Sequence, residues 1–183
     1  MDPKILVIIL AVVAALVIAA VLISVSKKRR SSRLKEHFGT EYDRTLQVRG
    51  NPTKAEHDLL DREKRVQSYK IKALSPEART QFADEWSIVQ GHFVEEPKKA
   101  VLEADSLCSR VMEMRGYPVA DFDQRAADVS VTHPAFVADY RAARSIVERQ
   151  GQGEVGTEDL RQAMVHYRSL FTELLETRTS AAA

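Results

Sequence analysis

The 183-residue chain has one cysteine, Cys108, one tryptophan, Trp86, and one asparagine, Asn51. A lone thiol excludes an intrachain disulfide. Pro52 directly follows Asn51 and excludes N-glycosylation there. Both suit a reducing interior. Glycine is scarce, at seven residues. None of the seven forms a Gly-x-Gly-x-x-Gly run, a Walker loop or a Gly-x-Ser-x-Gly elbow. No histidine has a glutamate three residues before it, which removes the Glu-x-x-His pairs of a di-iron bundle, and His-Glu-x-x-His is missing too. His92 and Glu95 stand one turn apart with no second pair, as on an ordinary polar helix face. Cys108 sits among Ala104, Leu107, Val111 and Met112, the surroundings of an inert buried thiol, and Arg110 points to another side of that helix. Trp86, Met112 and Met114 read as core. No catalytic residue, metal or cofactor is expected, and the chain is not expected to be an enzyme.

Charge is also distributed unevenly. The net charge is +1, yet residues 1–35 carry seven Lys/Arg against one Asp, leaving 20 basic and 25 acidic residues for 36–183. A body at −5 is repelled by phosphate backbones, so nucleic acid is not an expected partner.

What the chain does have is an apolar run. Ile5–Val25 holds 21 residues without a charge, a glycine or a proline and with one polar side chain, Ser24. At 1.5 Å per residue it spans about 31 Å, the thickness of a hydrocarbon core. A cleaved signal peptide would be shorter and more basic at its start, whereas only Lys4 precedes this run. Lys27, Lys28, Arg29, Arg30, Arg33 and Lys35 follow it. By the positive-inside rule the N-terminus lies outside and residues 27–183 lie in the cytoplasm. The same six residues are placed to meet anionic lipid head groups, at about 1 kcal/mol each. Ala11, Ala15 and Ala19 share one stripe of the span, a spacing that would let two copies approach as a homodimer.

Beyond the span, strand alternation is missing and helix punctuation is frequent. Gly39 interrupts the first segment, and Thr40 with Asp43 resembles a capping box. Asn51-Pro52-Thr53 starts another helix, capped by Asn51 or by a Thr53/Glu56 box. Residues 53–70 are highly charged, with a thin stripe of Leu59, Val66 and Tyr69, as in an edge helix or stalk. Ser75-Pro76-Glu77 opens a helix with Phe82, Trp86, Val89 and Phe93 on one face. Pro97 opens the next, with Ala100, Ala104, Leu107, Val111 and Met114, stopped by Gly116 and Pro118. Asp121 caps a short helix burying Phe122 and Ala126. Pro134 opens one with Phe136, Tyr140, Ala143 and Val147, and Thr157 caps the last, striped by Leu160, Met164, Tyr167, Phe171 and Leu174. The expected fold is all-α: a transmembrane helix followed by a cytoplasmic antiparallel helical bundle. Its parts are a flank at 1–4, the span at 5–25, a basic juxtamembrane linker at 26–52, the bundle at 53–176 and a disordered tail at 177–183.

Between two of these helices, residues 117–133 concentrate Tyr117, Asp121, Asp123, Arg125, Asp128 and His133. Ordered connections carry function more often than cores do. Tyr117, Asp121, Asp123, Arg125 and His133 are therefore the candidates for contact with a ligand or partner. Their structural alternative is capping by Asp121 and His133 and an internal ion pair for Arg125. His166 and Tyr167 on the last helix are weaker candidates.

Several strings together, Arg33-Leu-Lys-Glu-His-Phe-Gly-Thr-Glu-Tyr-Asp43, Leu74-Ser-Pro-Glu77, Phe82-Ala-Asp-Glu-Trp86, Arg115-Gly-Tyr-Pro-Val119, Asp121-Phe-Asp-Gln-Arg-Ala-Ala-Asp128 and Glu158-Asp-Leu-Arg-Gln-Ala-Met-Val-His-Tyr-Arg168, resemble a set of uncharacterised bacterial membrane-anchored proteins. The resemblance implies a bacterial inner-membrane setting and assigns no activity. The expectation is a membrane-tethered interaction or scaffold module with a protein partner. The alternative is a small-ligand or lipid-sensing domain using 117–133.

Overall fold

The computed structural model describes residues 3–118, 120–153 and 155–176, with the backbone alone for 3–9 and 11. Among the described residues there are eight helices and no strand: α1 (Pro3–Phe38), α2 (Thr40–Arg49), α3 (Pro52–Gln67), α4 (Pro76–Glu95), α5 (Pro97–Arg115), α6 (Phe122–Thr132), α7 (Val137–Gly151) and α8 (Thr157–Glu176). The protein is an all-α helical bundle.

The breaks follow local chemistry. Gly39 takes φ +51° and ends α1, donating its N–H to the Lys35 carbonyl at 2.9 Å. Thr40 lies inside α2 rather than capping it; Gly39 holds the cap position, with no side-chain cap bond. Asn51 caps α3 by accepting from the Lys54 N–H at 2.9 Å, with Pro52 at the first helical position. Ser75 caps α4 and Asp121 caps α6 in the same way. Asn, Ser and Asp suit this because a short side-chain oxygen reaches an otherwise unpaired N–H of the first turn. After Pro134, the helix begins only at Val137.

Side-chain pairs give the directions of the bundle helices. Glu85 with Arg110 and His92 with Glu103 set α4 antiparallel to α5. Asp139 with His166 and Arg149 with Asp159 set α7 antiparallel to α8. Cys108 against Tyr167 and Arg115 against Leu174 run α5 parallel to α8. Their apolar stripes close one core containing Phe82, Trp86, Leu107, Val111, Tyr140 and Phe171. Trp86 stacks on Phe171 with ring centroids 4.6 Å apart. Met114, at the end of its stripe, is half exposed rather than core.

A second, smaller cluster joins Leu34 and Phe38 of α1 to Tyr42 of α2 and Leu59 of α3. The basic segment 26–52 thus contributes fully buried side chains. α3 is no free stalk: Ala55, Leu59 and Val66 are buried with it. The two apolar clusters are distinct; Val131 of α6 packs against the smaller one, and polar contacts run alongside, including His37 Nε2 to the Val131 carbonyl at 2.9 Å.

In α1, Leu10, Leu16, Val17, Ile18, Leu22 and Ile23 are exposed. Among the described residues no helix is long and apolar enough to cross a membrane, so the expected membrane span is not part of the established fold. The side chains of residues 5–9 and 11 in that stretch lie outside the described residues, as does Ala11 of the Ala11/Ala15/Ala19 stripe. The tail expected at 177–183 lies outside them as well.

Gly116 ends α5 at φ +99°, and a Cβ there would stand 2.5 Å from the Lys70 carbonyl oxygen. Gly91, within α4, has open space around it. Gly116→Ala should therefore destabilise the fold by more than about 1 kcal/mol, and Gly91→Ala should stabilise it by roughly 0.5–1 kcal/mol. Chemical denaturation of the two variants checks the opposite signs.

Candidate functional site

The most unusual side chain in the protein is Glu41, 2 % exposed near the start of α2. The Gly39 turn aims it away from solvent, between α3 and α7. Arg62 of α3 donates to its Oε1 from Nη1 at 2.8 Å. Arg141 of α7 donates from Nη2 to Oε1 at 3.0 Å and from Nε to Oε2 at 3.3 Å. Arg44 stands 3.8 Å away. One carboxylate therefore collects three guanidiniums. A buried carboxylate is costly unless paired and hydrogen-bonded, and the bidentate fork of Arg141 meets both conditions.

Two further carboxylates extend the network. Asp58 accepts from Arg62 Nε at 2.8 Å and pairs with Arg49. Burial alone would raise its pKa, but Arg62 and Arg49 together hold the carboxyl below its ordinary value. Asp128 of α6 accepts from Arg65 Nε at 2.9 Å, Tyr69 Oη at 3.0 Å and Gln124 Nε2 at 2.9 Å. Burial, then the hydrogen bond to Asp128 and its charge, push the Tyr69 hydroxyl up. Arg62 also reaches Ser130 and Thr45, each at 3.4 Å.

Over this network opens a cleft of about 450 Å³ between α2, α3, α6 and α7. Arg44, Arg49, Arg62, Arg65 and Arg141 line it, together with Asp58, Asp121 and Asp123. It adjoins a second cleft of about 460 Å³ lined also by Phe122, Arg144, Ser145 and Glu148. Arg144 lies over the Phe122 ring, 5.3 Å from its centroid.

The five candidates from 117–133 do not converge. Asp121 caps α6 through Oδ1 to the Gln124 N–H at 2.8 Å, and Asp123 is exposed with Oδ1 3.6 Å from Arg141 Nη1; both line the cleft. Tyr117 is buried elsewhere, its hydroxyl 2.6 Å from Thr132 Oγ1. Its pKa is raised chiefly by burial. Arg125 is directed at Cys108 and Tyr140, where its charge opposes their upward shifts, and its buried Nε has no hydrogen-bond partner. Cys108 is fully buried, and that burial pushes its thiol up. His133 is buried against Glu173, with Nδ1 3.1 Å from Oε1. Burial first, and Arg115 in addition, lower its pKa, and Glu173 opposes them. With Nδ1–H donating to Glu173, Nε2 carries a bare lone pair and has no partner. Protonation there would bury an unpaired N–H. His166 pairs with Asp139 at 2.9 Å, and Tyr167 donates to Asp105 at 3.1 Å; neither His166 nor Tyr167 lines the cleft.

Of the six cations expected to meet lipid head groups, Arg30 pairs with Glu56 at 3.2 Å, Arg33 forms two bonds to Glu63, and Lys35 lies over the Tyr42 ring. Lys27, Lys28 and Arg29 are exposed. Among the described residues no group of three or more His, Cys, Asp or Glu is placed to hold a metal ion.

Sequence reasoning missed Glu41, Arg62 and Arg141. One signal existed: Ala55, Leu59, Arg62 and Val66 recur at spacings of 4, 3 and 4, so Arg62 occupies a place in the buried stripe of α3. No comparable local pattern marks Arg141.

Glu41→Gln leaves Arg62 and Arg141 buried with an amide in place of their shared carboxylate. It should cost about 3 kcal/mol or more, read by urea denaturation. For His133, the unfolded chain takes up its proton near pH 6.5 and the folded chain only at lower pH. The unfolded state thus binds more protons in that window, and stability falls as the pH drops below about 6.5. His133→Gln should flatten that fall in unfolding curves taken between pH 7.5 and 5.

No family model matches this chain, and no curated protein or solved structure is similar to it, so the arginine-lined cleft has to be interpreted from its own chemistry.

Proposed function

We propose that the chain is a membrane-tethered helical interaction module of the bacterial inner membrane. In this reading residues 5–25 span the bilayer once, the N-terminus lies outside, and the helical body sits at the cytoplasmic face. It acts there as a scaffold that holds a protein partner near the lipid surface and performs no reaction itself.

The observation that supports it is the continuity of α1. One helix of 36 residues runs from Pro3 to Phe38. Its exposed apolar side chains from Leu10 onward have no cover from the rest of the protein, whereas Leu34 and Phe38 at its other end are fully buried. Lys27, Lys28, Arg29 and Arg30 fall between the two regions, where positive charge fixes orientation and attracts anionic head groups. Nothing in the helix between Ser26 and Phe38 would uncouple body from anchor. A pair of copies joined through Ala15 and Ala19 fits the same arrangement.

A small-ligand or lipid-sensing role is the second reading. It draws support from Asp121 and Asp123, the two of the five candidate residues that line the cleft.

Carbonate washing should leave the full chain in the membrane pellet, and deletion of residues 2–25 should release it. Protease added to intact cells should spare the bundle, and crosslinked pull-down from membranes should recover a stoichiometric partner. A full chain in the soluble fraction, digestion from outside, or a clean negative at native expression would each count against the proposal.

A further inference from the structure

We propose that the cleft between α2, α3, α6 and α7 binds a phosphomonoester dianion, with Arg44 and Arg141 as its direct ligands. This deepens the ligand-sensing reading and is independent of the membrane tether.

The argument is one of charge and spare donors. Five guanidiniums face this cleft, while the carboxylates that pair with them inside it are Glu41, Asp58 and Asp128. With Asp121 and Asp123, which also line the cleft, five carboxylates match five guanidiniums, so binding depends on which donors are spare and which carboxylates can be displaced. Two of these carboxylates, Asp121 and Asp123, stand at the mouth. Asp121 spends its Oδ1 on the α6 cap. Asp123 is 88 % exposed, and its Oδ1 stands 3.6 Å from Arg141 Nη1, beyond hydrogen-bond distance. It is a loosely held carboxylate in front of a firmly held arginine, a contact that a better acceptor can displace.

The donors are suitably prepared. Arg141 is fixed by its two bonds to Glu41, which leave Nη1 directed at the mouth. Arg44 keeps 44 % of its side chain exposed and touches Glu41 from 3.8 Å. Its fork is the one least engaged by the network. Planar guanidiniums match the oxygens of a phosphoryl group, and a monoester near pH 7 carries almost two charges, more than the single charge of the Asp123 carboxylate it would displace. A volume of about 450 Å³ is within the range of small-ligand sites. The phosphate can belong to a soluble ester or to a lipid head group such as phosphatidic acid.

The test uses the full chain in neutral-detergent micelles at pH 7.4. Sodium phosphate is titrated against sodium chloride of equal ionic strength, and the unfolding temperature is followed. In parallel, lipid nanodiscs with phosphatidic acid are compared with nanodiscs carrying the diester phosphatidylglycerol at equal charge. Saturable stabilisation by phosphate supports a soluble source, and stabilisation confined to phosphatidic acid supports the head group. In either arm Arg44→Gln should weaken binding about tenfold. Asp123→Asn should tighten it several-fold, because a competing carboxylate is gone. Asp123 is exposed, and Glu41 keeps its hydrogen bonds from Arg62 and Arg141 when the more distant Arg44 is replaced, so both variants should unfold like the parent in the absence of phosphate. Arg161→Gln, in an exposed pair on α8, should change nothing. Equal responses to phosphate and chloride together with equal responses to the two lipids, or binding undiminished by Arg44→Gln, would overturn the proposal.

Discussion

The grip of Arg62 and Arg141 on Glu41 joins two bodies with distinct apolar cores, which otherwise touch through Val131 of α6. One consists of the end of α1 with α2 and α3, closed around Leu34, Phe38, Tyr42 and Leu59. The other is the bundle of α4–α8 with its own continuous core. Between them lie Glu41 with Arg141, Asp128 with Arg65 and Tyr69, and Arg62 with Ser130. Hydrophobic burial is nondirectional, whereas these pairs demand geometry. The orientation of the first body on the second is therefore specified by charge and fork direction. Buried ion pairs are weak sources of net stability. Their value here is in register, and in the cleft they leave open above them.

That division bears on function. If α1 is anchored in lipid, the first body is the piece directly tied to the membrane and the bundle hangs from it through the ionic seam. The arginine-lined cleft lies on the same seam. A ligand that engages Arg44 and Arg141 touches both α2 and α7, and so acts on the joint itself. Partner binding by the bundle and anion binding in the cleft can then be linked without any change in either hydrophobic core.

Much of the bundle was legible in the sequence because its helices obey local rules. The stripes of α4, α5, α7 and α8 follow a period of 3.6, and Asn51, Ser75, Asp121 and Gly116 mark ends through capping and positive-φ chemistry confined to a few residues. Met114 departs because a periodic position at a helix end can outrun the core. Of the two readings of α3, edge helix or stalk, the stalk failed for a different reason. Its buried stripe is completed by Arg62, and a charged residue counts as solvent-facing until its carboxylate partner, 21 residues away, is known. The site was legible only in part. Asp121 and Asp123 were reachable because they sit in one short connection. Glu41 and Arg141 are 100 residues apart, and nothing local in either segment announces the other. Tyr117, Arg125 and His133 lie close in sequence, but Tyr117 precedes α6 and meets Thr132, Arg125 lies near Cys108 and Tyr140, and His133 follows α6 and meets Glu173.

The account depends most on the ionic seam joining two separately cored bodies. Amide hydrogen exchange on Arg141→Met tests this directly. Loss of protection in residues 40–67, with 97–115 and 157–176 retaining theirs, is the expected result. A uniform loss across all eight helices, or no change in 40–67, would contradict it.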